Sequence, residues 1–161
     1  MYFVREARLE DAKEVLALIK ELAEYEKLED QVTATLADLV HVVFREKTAG
    51  LFVAEERGKL IGYALWFRNV STFKCRSGIY VEDIYVKKDE RGRGIGKEML
   101  LAVAKKAQTE NCGRIEWSCL DWNEPSKGFY RSLGAVPMEG WTAFRVDESG
   151  FAGFIERCAE K

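Results

Sequence analysis

The plainest chemistry in this sequence lies in six consecutive residues, Arg91-Gly92-Arg93-Gly94-Ile95-Gly96. Glycine at three of those positions lets the backbone turn tightly and bring its N–H groups against a ligand. From Ile95 onward, Ile95, Met99, Ala102, Val103 and Ala107 recur on one face of a helix. A helix N-terminus presents unpaired N–H groups and the positive end of its dipole, and both favour an anion. Arg91 and Arg93 add forked cations that match phosphate oxygens. The combination has the chemistry of a pyrophosphate cradle. Two familiar phosphate loops are excluded. A P-loop needs Ser or Thr after Gly-Lys and a Gly five residues earlier, whereas Gly96-Lys97 is followed by Glu98 and preceded at that distance by Arg91. A dinucleotide fingerprint needs G-x-G-x-x-G, and the spacing here is G-x-G-x-G. On the residues alone, an ordinary glycine-rich strand–helix connection stands as the alternative.

The elements that must hold this loop are readable on both sides of it. Tyr80 to Val86, rich in Val, Ile and Tyr, predicts a strand leading into the turn. Earlier, Tyr2 to Ala7 reads as an opening strand and Asp11 to Tyr25 as an amphipathic helix with Val15, Leu18, Ile19 and Leu22 on one face. The acidic segment Tyr25 to Gln31 breaks that periodicity. A second helix is expected from about Thr35, gathering Leu36, Leu39, Val40 and Val43; its His41 reads as a solvated or partly packed residue. Leu51 to Glu56 and Leu60 to Val70 predict two strands about an Arg57-Gly58-Lys59 turn, followed by a polar loop from Asn69 to Arg76. Downstream, Arg114 to Leu120 reads as a strand. Pro125 suits the first turn of a helix carrying Phe129 and Tyr130, which ends near Gly134. Trp141 to Val146 reads as a last strand, and Phe151 to Cys158 is left unassigned. The pattern is one mixed α/β domain over residues 1–161.

Composition bounds the function. The 161 residues suffice for one domain with a real core, and 47% apolar with 32% charged residues is ordinary for a globular protein. A formal net charge of −2 argues against nucleic acid as a partner. MYFVREARLED has no apolar stretch of signal-peptide type, and the aliphatic run from Met99 to Ala104 is too short to span a membrane. Cys75, Cys112, Cys119 and Cys158 form no C-x-x-C pair, so the sequence predicts reduced cytoplasmic thiols and no metal site.

Four segments in order, LIKELAEYEKLEDQV, YVEDIYV, RGRGIG and WNEPSKGFYRSLGA, resemble the GNAT superfamily of acetyl-CoA-dependent N-acetyltransferases. Within it the similarity is closest to the diamine (spermidine/spermine) acetyltransferases. The resemblance implies a twisted, mostly antiparallel sheet flanked by helices, with a splayed parallel strand pair, Tyr80–Val86 and Arg114–Leu120, forming the acetyl-CoA cleft. It assigns the pantetheine arm to the backbone of Ile84, Tyr85 and Val86, and the pyrophosphate to Arg91, Gly92, Arg93, Gly94, Ile95, Gly96 and Lys97. Asn123, Glu124, Pro125 and Ser126 fall on positions lining the other wall of the cofactor site.

An alkyl amine is almost wholly ammonium at neutral pH and attacks a thioester only after losing a proton. The reaction therefore needs a proton acceptor, and the departing thiolate gains from a donor. By resemblance, Glu82 takes the position of base or substrate ligand, working through water, and Tyr130 that of general acid beside the cofactor sulfur. Read without the family, they are a strand carboxylate and a packing aromatic. Tyr25, Glu26, Glu82, Asp83, Glu116, Trp117 and Ser118 match substrate-side positions, and carboxylates with aromatics suit an elongated polycation. Arg93 stands where the animal polyamine enzymes have an apolar residue, and Glu116 also differs. Thialysine, a short diamine or another small amine is therefore an alternative substrate, and a non-catalytic acyl-CoA-binding module an alternative role. The family also implies a homodimer.

Overall fold

The computed structural model describes residues 1–159. The chain divides into two compact units, Met1–Ser118 and a second from Cys119 onward.

The first unit is built on a sheet in the order β1-β2-β3-β4-β5. Its strands are β1 (Tyr2–Glu6), β2 (Ala49–Glu56), β3 (Lys59–Ser71), β4 (Arg76–Val86) and β5 (Ile115–Trp117). The first four pair antiparallel, and β5 joins β4 in parallel. The β2–β3 hairpin turns on Arg57 and Gly58, both at positive φ (51° and 73°), which matches the right-handed twist of the flanking strands. The expected polar loop from Asn69 to Arg76 is mostly strand, since Asn69 pairs with Gly78 and Ser71 with Arg76. Only Thr72 to Cys75 form the connection. Polar residues there lie on a hairpin extension, where one solvated face tolerates them.

Helix α1 (Ala12–Glu26) packs Val15 and Leu18 against one face of the sheet, with Leu51, Val53, Leu60, Tyr63 and Tyr85. It closes with Lys27 at φ 61°, whose N–H reaches Glu24 O (3.2 Å) while Leu28 N–H reaches Ala23 O (2.9 Å). That double bond pattern stops the helix sharply and leaves Tyr25 and Glu26 in its last turn. Helix α2 (Leu36–Val40) starts from a Thr35/Asp38 capping box and continues as a π-helical turn, His41–Arg45, burying Leu39 and Val43 on the same face. His41 lies at the surface with Nε2 2.9 Å from Glu46, a solvated role as the sequence indicated.

Helix α3 (Ile95–Thr109) covers the opposite face, burying Ile95, Met99, Val103 and Ala107 against Phe52, Ala54, Ala64, Trp66, Ile79 and Val81. The predicted periodicity thus describes its inner stripe, with Ala102 at the margin. Strand β5 covers only Ile115–Trp117 of the expected Arg114–Leu120, because its pairing with β4 stops at Val81↔Trp117.

In the second unit, helix α4 (Glu124–Ser132) is capped by Asn123, whose side chain accepts from Ser126 N–H at 3.3 Å. Pro125 sits in its first turn and Gly134, at φ 85°, follows its end. The expected strand Trp141–Val146 is not formed. Trp141 and Phe144 are 77% and 94% exposed, and no described strand pairs with this segment. A strand-like pattern without a partner edge gains no ladder bonds, so propensity alone does not hold it. The unassigned Phe151–Cys158 stretch lies in helix α5 (Phe151–Ala159). Among the described residues no helix is long and apolar enough to cross a membrane.

Candidate active site

The register of β4 against β3 shifts between two pairs, Leu65↔Asp83 and Trp66↔Val81, which leaves Glu82 as an extra residue in a β-bulge. The bulge moves the side-chain alternation by one. Ile79 and Val81 face α3 before it, and Ile84 and Val86 face α3 after it. Asp83 and Tyr85 consequently turn to the α1 face, beside Tyr63. Strict alternation would have sent Asp83 into the α3 core. The bulge itself leaves Glu82 exposed at the point where β5 ends.

Past that point the pairing of β4 with β5 stops, and among the described residues one edge of β4 has no strand partner. Lys87 N–H bonds Ile61 O on the β3 side at 3.0 Å, and Arg91 Nε donates to Val86 O at 3.0 Å. Alternation then directs the N–H and C=O groups of Ile84 and Val86 to the open edge, while Tyr85 bonds toward β3. This is the splayed parallel pair that the sequence led us to expect.

The loop beyond β4 places Gly92 at φ 77° and Gly94 at φ 84°. Both conformations are cheap only for glycine. Gly94 is the N-cap of α3 and offers no side chain to its N–H groups. The first amide bonded within the helix is that of Glu98, to Gly94 O at 3.0 Å, so those of Ile95, Gly96 and Lys97 precede the helical ladder. A Cβ on Gly92 would meet nothing within 4 Å. The cradle is therefore an open backbone surface of donors at the positive end of a helix, which fits a pyrophosphate.

Its arginines have other engagements. Arg93 is held by both oxygens of Glu56 (2.9 and 3.1 Å) and by Glu90, and it lies over the Tyr2 ring. Those carboxylates hold the Arg93 guanidinium well above its usual range, and Arg93, together with the Met1 ammonium, pulls Glu56 well below its own. Arg91 stacks over Tyr25 at 4.5 Å and Tyr85 at 5.7 Å, tying the end of α1 to the loop. Expected as phosphate ligands, both side chains serve in this structure as braces for the backbone that forms the cradle.

The acidic residues gather on the α1 side. Tyr63, fully buried, donates its hydroxyl to Asp83 Oδ2 at 3.2 Å. Burial, then the like charge of Glu82, pushes the Asp83 carboxyl up to about 6, against the lowering effect of the Tyr63 hydrogen bond; Glu26 adds to the upward push. Burial also raises Glu26. Among the described residues, no Lys or Arg forms an ion pair with Glu26, Glu82 or Asp83. Three clustered carboxylates of this kind attract an external cation.

The β5 residues divide. Glu116 and Ser118 share a face with Tyr80, which pairs with Glu116 and whose hydroxyl lies 2.6 Å from Ser118 Oγ. The Glu116 carboxylate already accepts a hydrogen bond from Asn69 Nδ2 (2.8 Å) and is ion-paired with Arg114, whose Nε lies 2.8 Å away. Trp117 packs instead on the α3 core, opposite its expected substrate neighbours, because adjacent strand residues point to opposite faces.

In the second unit, buried Asn123 is spent on capping α4, and Glu124 pairs with Lys127 at 2.5 Å. Exposed Pro125 and half-buried Ser126 complete that first turn. Tyr130 is half-buried, with its ring 5.4 Å from Phe129. One residue of interest escaped the sequence reading, Tyr63, because an aromatic in an apolar strand reads as packing. The adjacent charges in Val81-Glu82-Asp83-Ile84, which break the alternation, were the available signal for the bulge.

Residues 12–135 match the acetyltransferase (GNAT) family, and the chain belongs to it. Two of its relatives, named for thialysine and for spermidine/spermine, support a place in the diamine-acetyltransferase group. Thialysine N-epsilon-acetyltransferase of Bos taurus is 40% identical over 156 residues, covering 89% of this chain and 91% of the relative. Spermidine/spermine N(1)-acetyltransferase-like protein 1 of Homo sapiens is 34% identical over 158 residues, 91% of this chain but 23% of that protein. Among solved structures, a V. cholerae integron cassette protein superposes with a TM-score of 0.80 at 23% identity, covering 96% of this chain and 98% of its own, a likeness in fold.

Proposed function

We propose that the chain transfers the acetyl group of acetyl-CoA to a primary amine of a diamine or polyamine such as spermidine or spermine. The observation that carries this reading is the cluster of Glu26, Glu82 and Asp83, without a protein counter-ion among the described residues, below the end of the cradle-bearing strand. Acetyl-CoA serves as co-substrate. The Gly92–Lys97 backbone takes its pyrophosphate and the open edge at Ile84 and Val86 takes its pantetheine amides. In the reaction, a proton leaves the substrate ammonium for Glu82, through water. The freed nitrogen attacks the thioester carbonyl, the N–C bond forms and the C–S bond breaks; the thiolate takes a proton from Tyr130, and the second proton lost by the nitrogen returns through water to the Tyr130 phenolate. An N–H near Ile84 polarises that carbonyl. Tyr130 and Asn123 to Ser126 enter this proposal through their place in the sequence, as parts of one catalytic domain that includes both units.

A second reading, thialysine as acceptor, is favoured by the 40% identical bovine relative. Thialysine also presents a second ammonium group but adds a carboxylate. The test is thiol release from acetyl-CoA with spermidine, a short diamine, thialysine and a length-matched monoamine. A higher kcat/KM for spermidine or the diamine is the expected outcome, and preference for thialysine moves the assignment to the second reading. Release with none of them would leave only an acyl-CoA-binding module.

We also propose a homodimer. Support comes from the apolar surface of the second unit, where Val136 is 79%, Trp141 77%, Phe144 94% and Ile155 66% exposed. Large apolar side chains exposed together in one unit fit a surface that a second copy covers. Light scattering is expected to give twice the 18.4 kDa chain mass, and a monomer at micromolar concentration contradicts the assignment.

A further inference from the structure

We propose that Tyr63 is a positioning residue for the amine site, its buried hydroxyl holding Asp83 ionised and aimed at the second positive charge of the substrate. This rests on the amine reading above and adds a residue to it. Tyr63 is fully buried on β3 at the centre of the α1-side core, paired in register with Tyr85 and two positions from the Leu65↔Asp83 pair, on the same face. A phenol hydroxyl removed from water at that depth needs an acceptor, and the one it has is Asp83 Oδ2 at 3.2 Å. Purely apolar packing would be served as well by phenylalanine.

The surroundings give the bond its consequence. Asp83 is faced by Glu82 from its own strand, by Glu26 from α1 and by Tyr63 from β3. Burial and the two carboxylates favour its protonated form, and the Tyr63 hydrogen bond is the contribution that opposes them. Nearby Arg91 stacks on Tyr25 and Tyr85, and Lys87 pairs with Glu21 at 3.2 Å, so neither cation is committed to Asp83. The bulge at Glu82 brings the arrangement about, since it moves Asp83 to the face where Tyr63 lies. Without the hydroxyl, Asp83 holds its proton to higher pH and presents a neutral group to the substrate. A group titrating near 6 attracts a cation above that pH and loses the attraction below it, so amine affinity falls as pH falls through this range.

The experiment is Tyr63→Phe, with thermal melting and CoA affinity as measures of intact folding. At pH 5.5, where a one-unit shift from about 6 changes the ionised fraction of Asp83 about 8-fold, kcat/KM for the diamine is expected to fall by about that factor, against about 2-fold at pH 7, mainly through KM and with the length-matched monoamine little changed at either pH. The pH at which diamine KM rises is expected to move upward by about one pH unit. The carboxyl 13C shift of Asp83 reports the same titration without turnover. In an Asp83→Asn background, Tyr63→Phe is expected to have no further effect on the diamine. Equal losses for both amines, an unmoved Asp83 titration, or an undiminished Tyr63→Phe effect in the Asp83→Asn background would each overturn the assignment. A wild type that prefers the diamine, beside a Tyr63→Phe variant that keeps the preference, overturns this inference alone. A wild type inactive on every amine overturns the proposed function, with the Asp83 titration still deciding the role of Tyr63.

Discussion

Tyr130→Phe is expected to lower kcat about 100-fold while CoA affinity stays within about twofold, as befits loss of a proton donor and not of a binding surface. A departing alkyl thiolate is basic enough to gain from a donor at its sulfur, and a phenol hydroxyl carries a proton to donate. Phenylalanine retains the ring, which lies 5.4 Å from Phe129 on α4, so the packing of that helix survives the change. The effect should therefore appear in kcat, with the basic limb of the pH profile altered. Steady-state rates with acetyl-CoA and the preferred amine, together with CoA calorimetry, make the measurement. An unchanged kcat with chemistry shown to be rate-limiting would return Tyr130 to a packing role.

Gly94→Asp is expected to weaken CoA by roughly 50-fold, because it sets a carboxylate where charge-assisted hydrogen bonds to a pyrophosphate form, each worth about 1.5–3 kcal/mol. Two effects must be kept apart. Gly94 sits at φ 84°, where a side chain costs about 1–2 kcal/mol, and Asp tolerates that region better than most residues. Gly94→Ala carries the strain and the Cβ, which would lie 3.6 Å from Tyr2 Oη, without the charge. A loss with Ala of only a few-fold, against the larger and salt-sensitive loss with Asp, identifies anion binding. Equal CoA affinity in wild type and Gly94→Asp would remove the cradle assignment.

The parts of this molecule that are local in sequence were legible from it. The glycine spacing, the apolar stripe of α3 and the hairpin at Arg57-Gly58 depend on neighbours within a few positions, so type and spacing sufficed. The braces on the cradle were not legible, since Arg93 finds Glu56 on a strand that precedes it by 37 residues. Nor was the side of β5 on which Trp117 packs, which depends on register against β4. The bulge at Glu82 lay between these cases: paired charges break the alternation in the sequence, but only the partner strand shows which residue is the extra one. At Trp141–Val146 the sequence states a preference for extended backbone, and the edge needed to realise it is supplied by no described strand. The family resemblance carried Glu82 and Asp83 to the site together, while the opposite directions they take come from the bulge.

The central claim is that this acetyltransferase selects an amine by a second positive charge held at Glu26 and Asp83. It is tested most directly by the diamine-to-monoamine ratio of kcat/KM from the amine comparison, taken at low and high salt. The account predicts a ratio of roughly 10 or more at low salt, the scale of a hydrogen bond to a charged group. It also predicts that the ratio shrinks as salt rises, since the attraction of a dication from solvent to these carboxylates is screened over about 10 Å at 0.1 M ionic strength. A ratio near one at low salt, in an enzyme that turns over both amines, would contradict it.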